Sequence, residues 1–178
     1  MAEFQLVSSE PTLKTKIFEV NHDRAEHPSG AVLDRHVVVN SPSAVMCARR
    51  PNGDVLLIRQ FRLPIRQYLW ELPAGRCDSG EDVLETAKRE LIEETGYRAE
   101  RWTKLLEFFP APGFASELMT AFLAEDLTEG RSEPEPYELI ETRWTAWAEA
   151  LEMVRNGSIR DAKTIATLLY CQTLGPQA

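Results

Sequence analysis

The stretch that decides the fold of this protein runs from Gly75 to Tyr97 and reads GRCDSGEDVLETAKRELIEETGY. From Glu81 onwards, apolar residues recur at three-to-four spacing and charged residues fill the opposite face; the apolar positions are Val83, Leu84, Ala87 and Leu91. Gly96 stands where a C-terminal cap is expected. The pattern predicts an amphipathic helix of about four turns.

Shorter runs that are typical of strands lie on both sides of this helix. Those before it are 13–22, 31–40, 44–50 and 54–63, and those after it are 101–110, 118–126 and 138–147. The turn signal Pro51-Asn-Gly53 predicts that 44–50 and 54–63 form a hairpin. Two further helices are predicted at 146–157 and 161–171. This order predicts an α/β (α+β) protein with a mixed sheet and helices on its faces, while the strand order stays open.

The bulk composition excludes several classes of protein. A chain of 178 residues fits one domain with an N-terminal β segment of about 40 residues. Its net charge of -8 argues against a nucleic-acid-coating protein, and no apolar run approaches the roughly 18 residues of a membrane span. The start has no basic and apolar leader pattern, and the three cysteines form no metal-ligand motif. We therefore expect a cytoplasmic protein with free thiols. If its substrate is anionic, a cation must be recruited locally.

The predicted helix concentrates carboxylates on one face. Residues four apart share a face of a helix, so Glu90 and Glu94 project together, and Glu93 lies one step round. Like charges at this spacing destabilise a helix by roughly 0.2–0.5 kcal/mol per pair, and a hard divalent cation such as Mg²⁺ or Mn²⁺ reverses that repulsion. Arg89 stands four residues before Glu93 and is expected to pair with it.

The same residues closely resemble the signature of the Nudix hydrolase family. That pattern is Gly, five residues, Glu, seven residues, Arg-Glu-aliphatic-x-Glu-Glu-x-Gly and an aliphatic residue, and only Tyr97 departs from it. Seven fixed residues, each with a usage of about 0.06, match by chance with a probability on the order of 3 in a billion. The resemblance implies a Nudix-type α/β/α sandwich and metal-dependent attack of water on a diphosphate. It also implies metal ligands at the Ala74 carbonyl, Glu90, Glu94 and Glu93, and catalytic roles for Glu93, Glu94 and Arg89.

The flanking sequence resembles the ADP-ribose pyrophosphatase branch of that family. Pro112 follows Gly96 by sixteen residues and opens the loop Pro112-Gly-Phe-Ala-Ser-Glu117. This resemblance implies a nucleotide-sugar substrate, with ADP-ribose giving AMP and ribose 5-phosphate. A hydrolase for GDP-mannose or another nucleoside-diphosphate-linked compound is the first alternative. A sensor that binds ADP-ribose without cutting it is the second, although such binders usually lose a metal glutamate and none is lost here.

The branch resemblance also implies roles for residues outside the signature. Substrate contacts are expected from Arg62, the preferred phosphate ligand, and from Arg59, Arg35 and Glu117. An acidic loop at 133–138 is expected to supply a further glutamate as base or metal ligand, with Glu138 favoured over Glu135. Residues 1–40 are expected to serve a homodimer, in which Arg35 and Phe18 reach the partner's site, and residues 41–178 form the Nudix domain.

Overall fold

The computed structural model describes residues 2–132 and 139–175. In chain order its elements are β1 (Gln5–Lys14), β2 (Glu19–Glu26), β3 (Val32–Val39), β4 (Ser43–Ala48), β5 (Val55–Arg62), β6 (Gln67–Glu71), β7 (Ala74–Arg76), α1 (Val83–Thr95), β8 (Tyr97–Phe108), β9 (Met119–Glu129), β10 (Glu141–Thr145), α2 (Trp147–Arg155) and α3 (Ala162–Thr173). They form two compact units.

The first unit comprises Met1–Ser41 together with Phe109–Leu118. Its sheet has the order β1-β2-β3, and both pairs are antiparallel. The prediction of a strand at 31–40 is confirmed by β3. The prediction of a single strand at 13–22 is wrong, because the Thr15 hydroxyl accepts the N–H groups of Ile17 and Phe18 and turns the chain between β1 and β2.

The second unit comprises Pro42–Phe108 and Met119–Ala178. It contains the sheets β7-β4-β9-β8 and β10-β5-β6, in which only β4 and β9 run parallel. Alternate residues of β4 face opposite sides. Val45 and Cys47 join a core cluster with residues of α2 and α3, whereas Ala44 and Met46 join a second cluster with α1. The predicted α/β/α sandwich with mixed pairing is confirmed.

The predicted hairpin between 44–50 and 54–63 is wrong. The tight turn is present, since Arg50 N–H donates to the Asp54 carbonyl and Gly53 N–H donates to the Arg50 carbonyl. Beyond one bridge between Arg49 and Val55, however, the strands separate into different sheets. All of β4 and the first half of β5 are buried. Such strands are covered on both faces. β4 pairs with β7 and β9, whereas β5 pairs with β6 and β10.

The helix that carries the acidic residues starts slightly later than its sequence pattern predicts. Asp82 caps α1 by accepting the Leu84 N–H, so Glu81 lies just before the first turn. Gly96 ends the helix in the left-handed region at φ 79°, as predicted. The helices predicted at 146–157 and 161–171 are confirmed as α2 and α3.

Two further observations complete the fold. None of the helices in the described part of the chain is both long and apolar enough to cross a membrane. The three cysteines, Cys47, Cys77 and Cys171, are free thiols.

Candidate active site

Two carboxylates of α1 are pressed against the short strand β7. The Ala74 N–H donates to Glu94 Oε2 at 3.0 Å, and Glu94 is 6% exposed. The Glu90 side chain occupies the space beside Gly75, where an added Cβ would lie 1.9 Å from Glu90 Cδ and 2.2 Å from Glu90 Oε1. A side chain at position 75 would therefore displace the Glu90 carboxylate. Glycine is needed here for the space that Glu90 occupies, and not for its backbone angles.

The pairing of β7 with β4 fixes the direction of the Ala74 carbonyl. Met46 N–H donates to the Pro73 carbonyl at 2.9 Å, and Cys77 N–H donates to the Pro42 carbonyl at 2.8 Å. In an antiparallel pair, residues alternate between those that bond across the ladder and those that turn away from it. Ala74 is one of the latter, so its N–H and C=O both point away from β4. The N–H already meets Glu94 on that side, and the carbonyl oxygen faces the same side.

Arg89 is bonded to the other carboxylates of the signature. Its Nη1 donates to Glu90 Oε1 at 2.8 Å and to Glu93 Oε2 at 2.9 Å. Its Nε and Nη2 donate to Glu81 Oε1 and Oε2 at 3.0 and 2.9 Å. Nη2 also donates to the Arg76 carbonyl at 3.0 Å, which ties α1 to β7. The Arg89–Glu93 contact that the i, i+4 spacing predicts is present.

Glu81 serves as the fixed counterion of Arg89. The hydrogen bonds from Arg89 are the main reason that the pKa of Glu81 falls to about 2, with further lowering by the Asp78 N–H and the Thr86 hydroxyl. The pKa of Arg89 is raised, chiefly by Glu81 and then by Glu90 and Glu93. The pair is therefore ionised throughout the physiological range.

The donor set around Ala74 suits a hard divalent cation. In the described part of the chain, no three His, Cys, Asp or Glu side chains come close enough together to hold a metal ion. Two carboxylates, Glu90 and Glu94, meet the Ala74–Gly75 backbone, on which the Ala74 carbonyl supplies a third oxygen. Glu93 lies further from this backbone and shares Arg89 Nη1 with Glu90. Oxygen-only sites with few protein ligands and several waters are typical of Mg²⁺, so these residues fit such an ion.

The two arginines expected to contact substrate lie on opposite faces of β5. Arg62 is bound to Glu71 through both Nε (2.8 Å) and Nη2 (2.5 Å), and its side chain is 39% exposed. Arg59 pairs with Glu141 of β10 at 3.3 Å and stacks over the Tyr68 ring at 4.7 Å. Because successive residues of a strand alternate in direction, positions 59 and 62 face different sides. The phosphate role of each stays a prediction.

The remaining predicted residues belong to the first unit or lie outside the described residues. Arg35 is exposed on β3, where its Nη1 donates to the Asp34 carbonyl, and Phe18 is half-buried just before β2. Glu117 ends the loop that belongs to the first unit, where Ser116 N–H donates to the Val38 carbonyl. Glu138 and Glu135 lie outside the described residues.

Two residues of the second unit, Glu71 and Lys163, escaped the sequence analysis, and a third, Tyr97, was noted there without a role. Glu71 is fully buried, and Lys163 of α3 bonds to it although the two lie 92 positions apart. Two features of the sequence could have indicated these residues. One is a charged residue within the apolar run before Ala74, and the other is the single charge in α3. Tyr97, the one departure from the signature, has its hydroxyl within 3.1 Å of Trp144 Nε1 and 3.3 Å of Arg50 Nη2. A tyrosine is thus explained at a position that is aliphatic in the family pattern.

Comparison with known proteins identifies the family. The model of the NUDIX domain matches residues 39–168, and this chain belongs to that family. It is 33% identical to an ADP-ribose pyrophosphatase of Bacillus subtilis over 172 residues, which cover 96% of this chain and 93% of that protein. It is 36% identical to an ADP-ribose pyrophosphatase of Mycobacterium tuberculosis over 170 residues, covering 94% and 82%. The crystal structure of an ADP compounds hydrolase shares the fold, with a TM-score of 0.84, 22% identity and coverage of 96% and 92%.

Proposed function

We propose that this protein hydrolyses the pyrophosphate bond of ADP-ribose, with Mg²⁺ or Mn²⁺, to AMP and ribose 5-phosphate. The observation that carries the proposal is the convergence of Glu90 and Glu94 on the Ala74–Gly75 backbone. The choice of ADP-ribose within the family is supported by relatives of that name that match the chain along nearly its whole length.

Some residues of the site would hold the ion, and another would accept the proton of the attacking water. Glu90, Glu94 and the Ala74 carbonyl would hold the ion, with Glu93 as a further candidate ligand. When bound, such an ion neutralises charge on the diphosphate and lowers the pKa of a coordinated water. Arg89 holds Glu90 and Glu93 in place through its Nη1. In the reaction, the water oxygen bonds to one phosphorus as the bridging P–O bond breaks, and the leaving phosphate takes up a proton.

Two carboxylates are candidates to accept the proton of the attacking water. Glu93 is the more solvent-accessible acid of the α1 cluster, with a side chain 40% exposed against 17% for Glu90. Glu138 in the acidic loop is the alternative, and a loop residue often reaches such a position only when substrate is bound. Separate Glu93→Gln and Glu138→Gln variants distinguish them, because loss of the base lowers kcat and removes the acidic limb of the pH profile.

The test of the activity is a substrate panel with Mg²⁺. ADP-ribose, GDP-mannose, NADH and diadenosine polyphosphates are assayed by phosphate release with a coupled phosphatase, and nucleoside triphosphates by chromatography of their products. Preference for ADP-ribose supports the proposal. Preference for GDP-mannose or another compound replaces the substrate and keeps the chemistry, whereas turnover of none favours the non-catalytic binding alternative.

We further propose that residues 1–40 serve a homodimer and that residues 41–178 are the catalytic domain. Every residue of β1 is exposed, and Leu6, Val7 and Leu13 are 64%, 57% and 52% exposed. Apolar residues on an uncovered strand are typical of an interaction surface. Sedimentation equilibrium tests this directly: a Leu6→Asp, Leu13→Asp double variant is expected to sediment as a monomer, and a parent protein that is already monomeric would refute the proposal.

A further inference from the structure

A buried cluster of charges joins β6 to the start of α3. Glu71 is 0% exposed and accepts two hydrogen bonds from Arg62, at 2.8 and 2.5 Å. Lys163, with a side chain 10% exposed, bonds to the same carboxylate through Oε2. Lys163 also pairs with Asp161 at 3.0 Å, and Asp161 in turn caps α3 by accepting the Thr164 N–H at 3.0 Å. The charges therefore form a chain from the α3 cap to the Arg62 guanidinium.

Stability alone does not explain this cluster. Removing charged groups from water costs several kcal/mol per ion, and well-packed apolar residues often replace a buried ion pair without loss of stability. A fully buried carboxylate with two cationic partners is therefore a costly way of joining a strand to a helix. We therefore expect the cluster to have a role besides stability, and its position beside the candidate metal ligands indicates that role.

Glu71 lies three residues before Ala74, on the segment that meets the candidate metal ligands. Within this segment the Leu72 N–H donates to Thr164 Oγ1 at 2.8 Å, and the Ala74 N–H donates to Glu94 Oε2 at 3.0 Å. Burial lowers the pKa of Arg62, but attraction by Glu71 and then by Glu94 outweighs burial and raises it. The Arg62 guanidinium thus lies within the electrostatic reach of Glu94.

The geometry of the Arg62 fork leaves one edge of its guanidinium for another ligand. Nε and Nη2 are directed at the two oxygens of Glu71, so Nη1 lies outside this fork. A guanidinium carries five N–H donors in one plane, and it binds phosphate best when that plane is fixed beforehand. Glu71 fixes the plane, and Lys163 fixes Glu71.

We infer that Glu71 and Lys163 are positioning residues, which hold the Arg62 guanidinium ready to bind the diphosphate of the substrate. The inference rests on the proposed function for its substrate class and adds to it two residues that the family signature does not contain. Lys163 has no need to touch the substrate; it acts through Glu71 on Arg62.

A double-mutant cycle between Lys163 and Arg62 tests this. Lys163→Met removes the charge at similar length, and it is expected to raise the KM for ADP-ribose about tenfold while kcat changes less than twofold. In an Arg62→Ala background, the same substitution is expected to change KM less than twofold, because the group that it positions is gone. Additive effects of the two substitutions would overturn the inference, since they would assign Lys163 a purely structural role.

A milder variant tests the same inference even if Lys163→Met fails to fold. Asp161→Asn keeps an acceptor for the α3 cap but removes the carboxylate that holds Lys163. It is expected to raise KM about threefold with Arg62 present and not at all with Arg62→Ala. Gly157→Ala is the matched stability control, because it strains the left-handed turn after α2 at φ 78° and is expected to lower Tm without changing KM.

The parent protein separates failure of this inference from failure of the proposed function. If the parent cleaves a different diphosphate of the panel, the cycle is measured with that compound. If it cleaves none, the cycle is measured as the Kd for inorganic pyrophosphate by calorimetry. With each readout, non-additivity between Lys163 and Arg62 supports the inference and additivity overturns it.

Discussion

The Gly75→Ala substitution is expected to disturb the candidate site while leaving the stability of the fold nearly unchanged. The new Cβ would lie 1.9 Å from Glu90 Cδ, whereas ordinary contacts begin at 3.4 Å, so the Glu90 carboxyl must recede by about 1.5 Å. The atoms in the way are Cδ, Oε1 and Cγ of Glu90, which all belong to one flexible side chain. Gly75 is also absent from the glycines with positive φ, so alanine fits the backbone. The strand can therefore keep its place while the carboxylate moves.

The magnitude follows from that displacement. Misplacing a catalytic group by about 1 Å can cost 10²-fold in rate, so a loss of about 10²-fold in kcat/KM is expected, equivalent to roughly 2.7 kcal/mol. Stability should change by less than about 1 kcal/mol. A side chain forced away from its rotamer costs roughly 0.5–1.5 kcal/mol, while replacing glycine by alanine at a compatible position recovers about 0.4–1 kcal/mol through the unfolded chain.

Two measurements on the same preparation check this prediction. Steady-state kinetics with ADP-ribose gives kcat/KM, and Mn²⁺ titration followed by electron paramagnetic resonance gives the affinity for the ion. Gly157→Ala should show the reverse pattern, with a lower Tm and unchanged kinetics, because nothing lies within 4 Å of a Cβ there and only the backbone is strained. Full activity and unchanged Mn²⁺ affinity in Gly75→Ala would refute the reasoning that places Glu90 at the reacting centre.

Three further predictions follow from the contacts around α1. Glu94→Gln should fold, because its amide oxygen still accepts the Ala74 N–H, and lose at least about 10²-fold in kcat, whereas Glu85→Gln on the exposed side of the same helix should keep full activity. Glu81→Gln should lower the free energy of unfolding by about 2 kcal/mol at pH 7. The folded-state pKa of Glu81 is about 2, against 4.5 in an unfolded chain. The difference in stability between the parent and Glu81→Gln should therefore persist above pH 5 and shrink as the pH falls towards 2, as measured by urea unfolding at pH 7 and pH 3. Tyr97→Phe should lower stability by roughly 1 kcal/mol by removing the acceptor of the Trp144 N–H, with kcat unchanged; equal thermal stability would contradict that role.

Local spacing predicts the part of the site that lies on α1. The i, i+4 rule brings Arg89 to Glu93, and the position of Gly96 predicts where the helix ends; both features are present. Such features depend on residues within one or two turns of each other. They follow from sequence because helix geometry alone determines the neighbours.

Pairings across the chain could not be predicted in the same way. β4 pairs with β7 and β9, and β5 pairs with β6 and β10, so the sequence around Pro51 predicts the turn correctly and the pairing of β4 with β5 wrongly. Glu71 and Lys163 meet across 92 positions, and neither has a neighbour in sequence that indicates the other. β1 was not predicted from the sequence. Its residues are all exposed, so neither face is buried and the sequence shows no alternation of apolar and polar residues.

The arrangement of charge on this helix supports the proposed cation site. Glu81, Glu90 and Glu93 all bond to the single guanidinium of Arg89, while Glu94 bonds to a backbone N–H. Three carboxylates thus share the single positive charge of Arg89, and Arg62 attracts Glu94. A divalent cation, as proposed, would add positive charge beside the Ala74 carbonyl. Because Arg89 is bonded to Glu81 through both Nε and Nη2, its position does not depend on the ion. Under the proposed function, the acids nearest β7 would therefore exchange an ion and a substrate while the helix that presents them stays in place.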